Sequence, residues 1–142
     1  MTMNDALSLC HNQVMAFFRD LDENRYGDLV QRLAPDGVWL RQGKTLEGRA
    51  AVFDALSRRS ATQRIHHLIS NLMADARDED QCVMRAYMLV VRHDSGMPLS
   101  GPAPLSGVEN IRTTHIELRR SGDQWLIARM ANDDPSFSAQ AA

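Results

Sequence analysis

The first third of the chain has the hydrophobic periodicity of helices. Apolar residues recur every three or four positions between Asn4 and Leu21, which predicts a helix that buries one face. Asn4 or Asp5 is placed to cap its start, and Asp22-Glu23-Asn24 predicts its end and a turn. The apolar positions of this first helix are Leu7, Cys10, Val14, Phe17, Phe18 and Leu21.

Two shorter helices and a hairpin are predicted before residue 61. The third helix begins at Gly48 and ends near Arg59-Ser60. Between the second and third helices, Pro35-Asp36-Gly37 predicts a turn, Val38-Trp39-Leu40 a strand and Gln42-Gly43-Lys44 a hairpin turn. The apolar stripes of these two helices are Leu29, Val30 and Leu33, and Val52, Phe53 and Leu56, respectively.

In the second half, the pattern changes to that of long strands. Asp78-Glu79-Asp80 and Ser121-Gly122-Asp123 predict tight turns, so the strands that they join should pair antiparallel. The segment from Gly96 to Gly107 contains three prolines and three glycines in twelve residues, which predicts a long loop between two strands. The four strand segments are residues 65–75, 82–92, 108–120 and 124–132.

Helices first and a meander of strands afterwards is an α+β pattern. We expect one domain over residues 1–142, with an ordered core from about residue 5 to residue 133. Three N-terminal helices packed in a strongly curved, mixed and mostly antiparallel sheet would form a cone with an internal pocket.

Composition and charge exclude several classes of function. The net charge of −2 leaves no basic surplus for phosphates, so we expect no nucleic-acid partner. The chain has neither a signal-peptide pattern nor the roughly 20 apolar residues of a membrane span, so we expect a soluble cytoplasmic protein. Cys10 and Cys82 form no CxxC pair and are expected to be buried free thiols. Because no metal-ligand or phosphate-loop motif is present, we expect no metal site and no cofactor.

Three local motifs, in this order, resemble the nuclear transport factor 2-like superfamily and, within it, the SnoaL-like group. They are the stretch from Asp22 to Asp36-Gly37-Val38-Trp39, then Leu46-Glu47-Gly48-Arg49, and then His66-His67-Leu68-Ile69-Ser70-Asn71. The closing strand Gln124-Trp125-Leu126-Ile127 also fits. The resemblance covers about residues 5–133 and implies the cone-shaped fold.

The branch that this chain resembles most is that of scytalone dehydratase and lindane dehydrochlorinase. That branch has an aspartate at the end of the first helix beside a histidine on the first long strand, and Asp22 and His67 occupy the matching positions. The resemblance therefore implies that His67 is a general base and Asp22 its orienting partner. The chain departs from the branch in two ways: it lacks the paired tyrosines of scytalone dehydratase, and Met15 stands near the position of the dehydrochlorinase lysine.

Strand geometry places Ile65, His67, Ile69, Asn71 and Met73 on one face, which we predict to be the cavity face. A neutral imidazole that donates one N–H to a carboxylate keeps its other nitrogen free as a proton acceptor. Ligand binding and a purely structural histidine are the alternatives.

Glu23, beside Asp22, is a second candidate for the partner of His67, and His66 is predicted to face away from the cavity. Arg112 and Arg129 would polarise a carbonyl or bind a leaving group if they point inward; otherwise they lie on a solvated face or pair with Glu109 or Glu117. Core packing is the alternative for the aromatic and Met positions. The predicted ligand-binding residues are Asn71, Tyr26, Trp39, Tyr87, Met88, Arg112, Trp125 and Arg129.

These residues predict a small cofactor-independent lyase or isomerase, comparable to a dehydratase or dehydrochlorinase. It would act on a small hydrophobic, for instance cyclic, substrate in an apolar pocket. The alternative is a non-catalytic domain that binds a hydrophobic ligand or serves assembly, similar to the β subunit of ring-hydroxylating dioxygenases. In both cases we expect a homodimer formed through the outer sheet face, where Leu68 and Leu72 are predicted to lie.

Overall fold

The computed structural model describes residues 2–139, with the side chains of all of these except residues 3 and 4. In this part of the chain, three helices accompany a seven-stranded mixed sheet. The helices are α1 (Met3–Asp22), α2 (Tyr26–Gln31) and α3 (Arg49–Ser57). The strands are β1 (Leu33–Arg41), β2 (Lys44–Glu47), β3 (Arg64–Arg77), β4 (Gln81–His93), β5 (Asn110–Ser121), β6 (Gln124–Asn132) and β7 (Phe137–Ser138).

A capping box opens the long first helix. The Thr2 hydroxyl accepts a hydrogen bond from the backbone N–H of Asp5, and the Asp5 carboxylate accepts one from the backbone N–H of Thr2. The cap of the helix is therefore Thr2 rather than either predicted residue: Asp5 is the third residue of the helix, and the side chain of Asn4 lies outside the described part. The predicted apolar stripe is confirmed at its buried positions, which are Cys10, Val14, Phe17, Phe18 and Leu21.

The sheet is open, with strand order β2-β1-β6-β5-β4-β3, and β7 adds to β5. Only β1 and β6 pair in parallel among the described strands; every other pair is antiparallel. The predicted α+β class with a mixed, mostly antiparallel sheet is confirmed. The core lies between α1 and the inner sheet face, where Met84, Ile116 and Met130 are buried.

The predicted turn at Pro35-Asp36-Gly37 is instead an irregularity inside β1. The pairing of β1 with β6 shifts register between Leu33 and Val38. A Cβ atom on Gly37 would lie 2.9 Å from the carbonyl oxygen of Ile127, so only glycine lets the two backbones approach this closely.

The predicted face of β3 is correct up to Ser70 and wrong beyond it. Asn71 has a φ of 56°, and the pairing with β4 shifts register between Ser70 and Met73. This β-bulge reverses the alternation of side chains. Asn71 and Met73 are exposed, whereas Leu72 packs against the core rather than on the outer face.

The long Gly-Pro segment forms the predicted loop between β4 and β5. The Arg64 guanidinium donates to the carbonyl oxygen of Gly101 at 2.8 Å, which ties the loop to the start of β3. Cys10 and Cys82 are free and buried, as predicted. No helix within residues 2–139 is long and apolar enough to cross a membrane.

Candidate active site

Asp22 and His67 contact each other through two hydrogen bonds. Asp22 is the last residue of α1, and His67 lies on β3. Asp22 Oδ1 lies 2.5 Å from the Nδ1 atom of the His67 ring, and Asp22 Oδ2 accepts a hydrogen bond from the backbone N–H of His67 at 2.9 Å. Glu23, the other candidate partner, is exposed and makes no hydrogen bond to His67. The carboxylate therefore fixes both the backbone and the ring of the histidine.

The surroundings of this pair favour one tautomer of the imidazole. The side chains of His67 and Asp22 are 10% and 14% exposed, and the Phe18 ring lies 5.8 Å from the imidazole, centroid to centroid. With its proton on Nδ1, the ring donates to Asp22 and leaves Nε2 as an acceptor. Nε2 makes no hydrogen bond to any other described residue.

His67 lines an open pocket of about 730 Å³ that lies between the inner sheet face and the helices. Its buried lining is apolar and comes from α1 and from three strands, β1, β4 and β6. These residues are Phe18, Leu21, Trp39, Met88, Val90 and Met130.

Apart from Leu46, Ala55 and Ile65, the rest of the lining is polar and rich in cations, which corrects the prediction of a simply apolar pocket. Six lysine and arginine side chains line it, whereas Glu109 is its one carboxylate among the described lining residues. The cations are Arg41, Lys44, Arg58, Arg59, Arg92 and Arg112.

Four of the predicted ligand-binding residues belong to this region. Trp39, Met88 and Arg112 line the pocket, so Arg112 points inward rather than pairing with Glu109. Tyr26 is not a lining residue, but its hydroxyl accepts a hydrogen bond from Arg59 Nη1 at 3.0 Å. Tyr26 therefore positions a cation of the pocket wall.

Four other predicted ligand-binding residues lie away from His67. Asn71 is turned outward by the bulge, and Tyr87, which pairs with Ser70 on the neighbouring strand, is 53% exposed. Arg129 is exposed and lies opposite Glu117 across the β5–β6 pair. Trp125 is buried and borders a separate surface pocket beside α1 and α2.

The sequence reasoning missed Phe18 and the arginines Arg41 and Arg59. Arg41 is two residues after Trp39 on the same strand, so strand alternation alone places the two side chains on one face. Arg59 follows α3 and donates to the carbonyl oxygen of Leu21 at 2.9 Å. That contact joins segments far apart in sequence, and no local pattern indicates it.

The described residues contain no group of three or more His, Cys, Asp or Glu side chains that could hold a metal ion. The residues that line the pocket offer an oriented imidazole beside an apolar surface and a set of cations.

Comparison with known proteins identifies the family. The model of the SnoaL-like domain matches residues 7–131, so the chain belongs to the SnoaL-like family of the nuclear transport factor 2-like superfamily. A search of the curated proteins found no match.

Solved structures share the fold at low sequence identity. A protein from Novosphingobium aromaticivorans named "Putative Scytalone Dehydratase" is 16% identical over 96% of this chain and 88% of its own, with a TM-score of 0.76. A protein from Catenulispora acidiphila, solved in complex with S-DNPA, is 20% identical over 92% of this chain and 93% of its own, with a TM-score of 0.69. ActVI-ORFA from Streptomyces coelicolor is 14% identical over 89% and 97%, with a TM-score of 0.68.

Proposed function

We propose that the protein is a small cofactor-independent lyase or isomerase in which His67 is the general base. The observation that carries this proposal is the double contact of the Asp22 carboxylate with His67 at the wall of a pocket. The fold shared with a protein named for scytalone dehydration supports the same class.

Proton abstraction is the chemistry that this geometry supports. Nε2 of His67 takes a proton from a carbon next to an activating group, and Asp22 stabilises the imidazolium that forms. In a lyase the carbanion expels a leaving group; in an isomerase Nε2–H returns the proton at another carbon. The side chain of His67 is mostly buried beside Phe18, and this reduced contact with water strengthens the electrostatic interactions of the imidazolium.

The test needs no knowledge of the natural substrate. We would incubate the protein with cyclic ketones such as 2-tetralone in D₂O and follow deuterium uptake next to the carbonyl by mass spectrometry. We expect exchange above the buffer rate with the wild type and its loss in His67→Ala, since a general base contributes about 10²–10⁴-fold. His66→Ala is the matched control, because His66 is the exposed neighbour on the opposite face of the same strand.

Equal exchange by the wild type and His67→Ala would refute the base. Binding of the ketones without exchange would support the alternative, a non-catalytic domain for a hydrophobic ligand or for assembly.

The assembly that we propose is a homodimer through the outer sheet face. Leu68, Tyr87 and Met73 are 50%, 53% and 67% exposed on β3 and β4, which forms an apolar surface in the isolated chain. Leu68→Asp should shift a dimer towards monomer in sedimentation velocity, and a wild-type monomer at micromolar concentration would contradict the dimer.

A further inference from the structure

The pocket carries more positive charge than its own residues neutralise. Arg92 pairs with Glu109 at 3.0 Å, and Arg58 pairs with Asp54 at 2.6 Å. Asp22, the acid beside His67, is engaged with the histidine. The four remaining cations form no ion pair with a described residue; they are Arg41, Lys44, Arg59 and Arg112.

Neutral contacts hold three of these four cations in place. Arg112 Nε donates to the Asn110 side-chain oxygen at 3.2 Å. The guanidinium of Arg41 lies 5.5 Å from the Trp39 ring centroid, and that of Arg59 lies 5.7 Å from the Tyr26 ring centroid. Such contacts orient a cation without cancelling its charge. Arg41 is partly buried and lies near Arg59, and both effects lower the pKa of its guanidinium.

We propose that this pocket binds a small, largely apolar molecule that carries one carboxylate, and that Arg112 and Arg41 hold the carboxylate. This inference rests on the proposed function for the reaction and adds the substrate class. The planar fork of a guanidinium matches a carboxylate with two parallel hydrogen bonds. The apolar part of the molecule then lies against the buried lining, where Phe18 and Met88 are found.

The strand order places Arg41 and Arg112 at a distance from His67 that a small substrate can span. In the order β1-β6-β5-β4-β3, Arg112 on β5 lies two strands from Arg41 and two strands from His67. Two strand spacings amount to about 10 Å between backbones. All three side chains line one pocket and converge on it, so a compact one- or two-ring acid spans the gap between the arginines and the imidazole.

A carboxylate fits the site better than a phosphate. Helix N-termini, with their free N–H groups, are the preferred phosphate sites of proteins. Two helix ends border this pocket and both are C-terminal: α1 ends beside Leu21, and α3 ends where Ala55, Arg58 and Arg59 line the wall. The negative ends of these helix dipoles disfavour a dianion more than a monoanion.

Matched ligands and matched variants test the inference. We would measure the affinities of 2-naphthoate, methyl 2-naphthoate and 2-naphthyl phosphate by titration calorimetry. We expect the acid to bind about tenfold or more tightly than its ester, and this preference to shrink at high salt. Arg112→Gln and Arg41→Gln should each reduce naphthoate affinity about tenfold and leave that of the ester unchanged, whereas Arg112→Lys should retain part of the preference.

Arg85→Gln is the control for the loss of one positive charge outside the pocket, measured in the same titrations. It removes an arginine that pairs with Asp75 and lies 59% exposed on the outer face of the sheet. Equal binding of acid and ester, or full naphthoate affinity in Arg112→Gln and Arg41→Gln, would overturn the inference. Tighter binding of the phosphate than of the acid would overturn the choice of a carboxylate. Circular dichroism of each variant verifies that it folds.

The same titration in His67→Ala separates this inference from the proposed function. Selective binding of naphthoate by this variant and by the wild type, with no deuterium exchange by either, would support the carboxylate site and refute the role of His67 as a base. Exchange that depends on His67, without any preference for the acid over its ester, would support the base and refute the carboxylate site.

Discussion

The carboxylate of Asp22 accepts two hydrogen bonds from one residue, His67: one from the ring Nδ1–H and one from the backbone N–H. The first contact sets the tautomer, and the second fixes the strand that carries the ring. A carboxylate at the C-terminus of a helix is disfavoured by the helix dipole. The two donors offset that cost, and they explain why an acid at this position can be stable.

Asp22→Asn tests whether both contacts are needed. An amide has a single acceptor oxygen, so asparagine can accept only one of the two hydrogen bonds, and its NH₂ group can instead donate to Nδ1 when the ring carries its proton on Nε2. We expect His67-dependent exchange to fall by about 10²-fold or more, and ¹⁵N NMR of the ring nitrogens to report a mixture of tautomers. Glu23→Gln removes the neighbouring exposed acid and should change neither measurement. An unchanged tautomer in Asp22→Asn would contradict the orienting role.

Long periodic segments made much of this fold predictable. The first helix and the four long strands each extend over nine or more residues with a helical or a strand-like pattern, so their existence and type follow from the sequence. The parallel pairing of β1 with β6 does not follow, because the two strands lie far apart in the chain. The short β7 has too few residues to show a period.

The candidate site was predictable only where the side chains of a strand alternate regularly between its two faces. Regular alternation along β3 places Ile65 and His67 on the inner face, but the left-handed backbone of Asn71 reverses this alternation in the residues that follow. Arg41 and Arg59 come together through the packing of α3 beside the sheet. The direction of such long side chains depends on tertiary contacts rather than on their own segment.

Asn71 offers a test of the bulge in β3. Its φ of 56° is tolerated by asparagine and glycine but is costly for a β-branched residue. Asn71→Gly should therefore unfold at nearly the wild-type urea concentration, whereas Asn71→Val should lose about 1–2 kcal/mol. Met73→Val, at an exposed position two residues further along the same strand, is the comparison for the effect of branching alone. Equal stability of Asn71→Val and Asn71→Gly would show that the backbone of β3 is not held in this conformation.

A partly buried ion pair between Asp20 of α1 and Arg32, the residue after α2, should contribute far more than an exposed one. Asp20 is 2% exposed, and its Oδ2 accepts from Arg32 Nε at 2.7 Å. Arg32 also donates to Gln13, which in turn donates to the carbonyl oxygen of Trp125. Asp20→Asn leaves the partly buried guanidinium of Arg32 without its charged partner. We therefore expect the free energy of unfolding to fall by about 2–3 kcal/mol.

The exposed pair of Asp54 with Arg58 is the comparison for this effect. Both side chains are mostly solvated, so Asp54→Asn should cost less than about 1 kcal/mol in the same urea titration. Similar losses in the two variants would mean that the Asp20 pair is as well hydrated as a surface pair.

The two thiols should resist modification in the folded protein. Burial raises the pKa of Cys10 to about 12, and the adjacent Cys82 thiol adds to this shift. Because the thiolate is the reactive form, its fraction at pH 8 should be about a thousandfold lower than in the unfolded chain. We expect iodoacetamide to label Cys10 slowly in buffer and rapidly in guanidinium chloride, as followed by mass spectrometry. Labelling at equal rates would show that the space between α1 and β4 is open to water.

The same raised pKa predicts how stability depends on pH. Between pH 9 and about 12 the folded chain keeps the Cys10 proton while the unfolded chain releases it. The contribution of this thiol is therefore complete below pH 9 and is lost as the pH rises towards 12. The free energy of unfolding in urea should fall between pH 8 and pH 10.5, and it should fall less in Cys10→Ala, which removes this thiol and keeps the buried Cys82. An identical fall in both proteins would mean that the thiol titrates in the folded state as it does in the unfolded chain, and that α1 does not shield it from water.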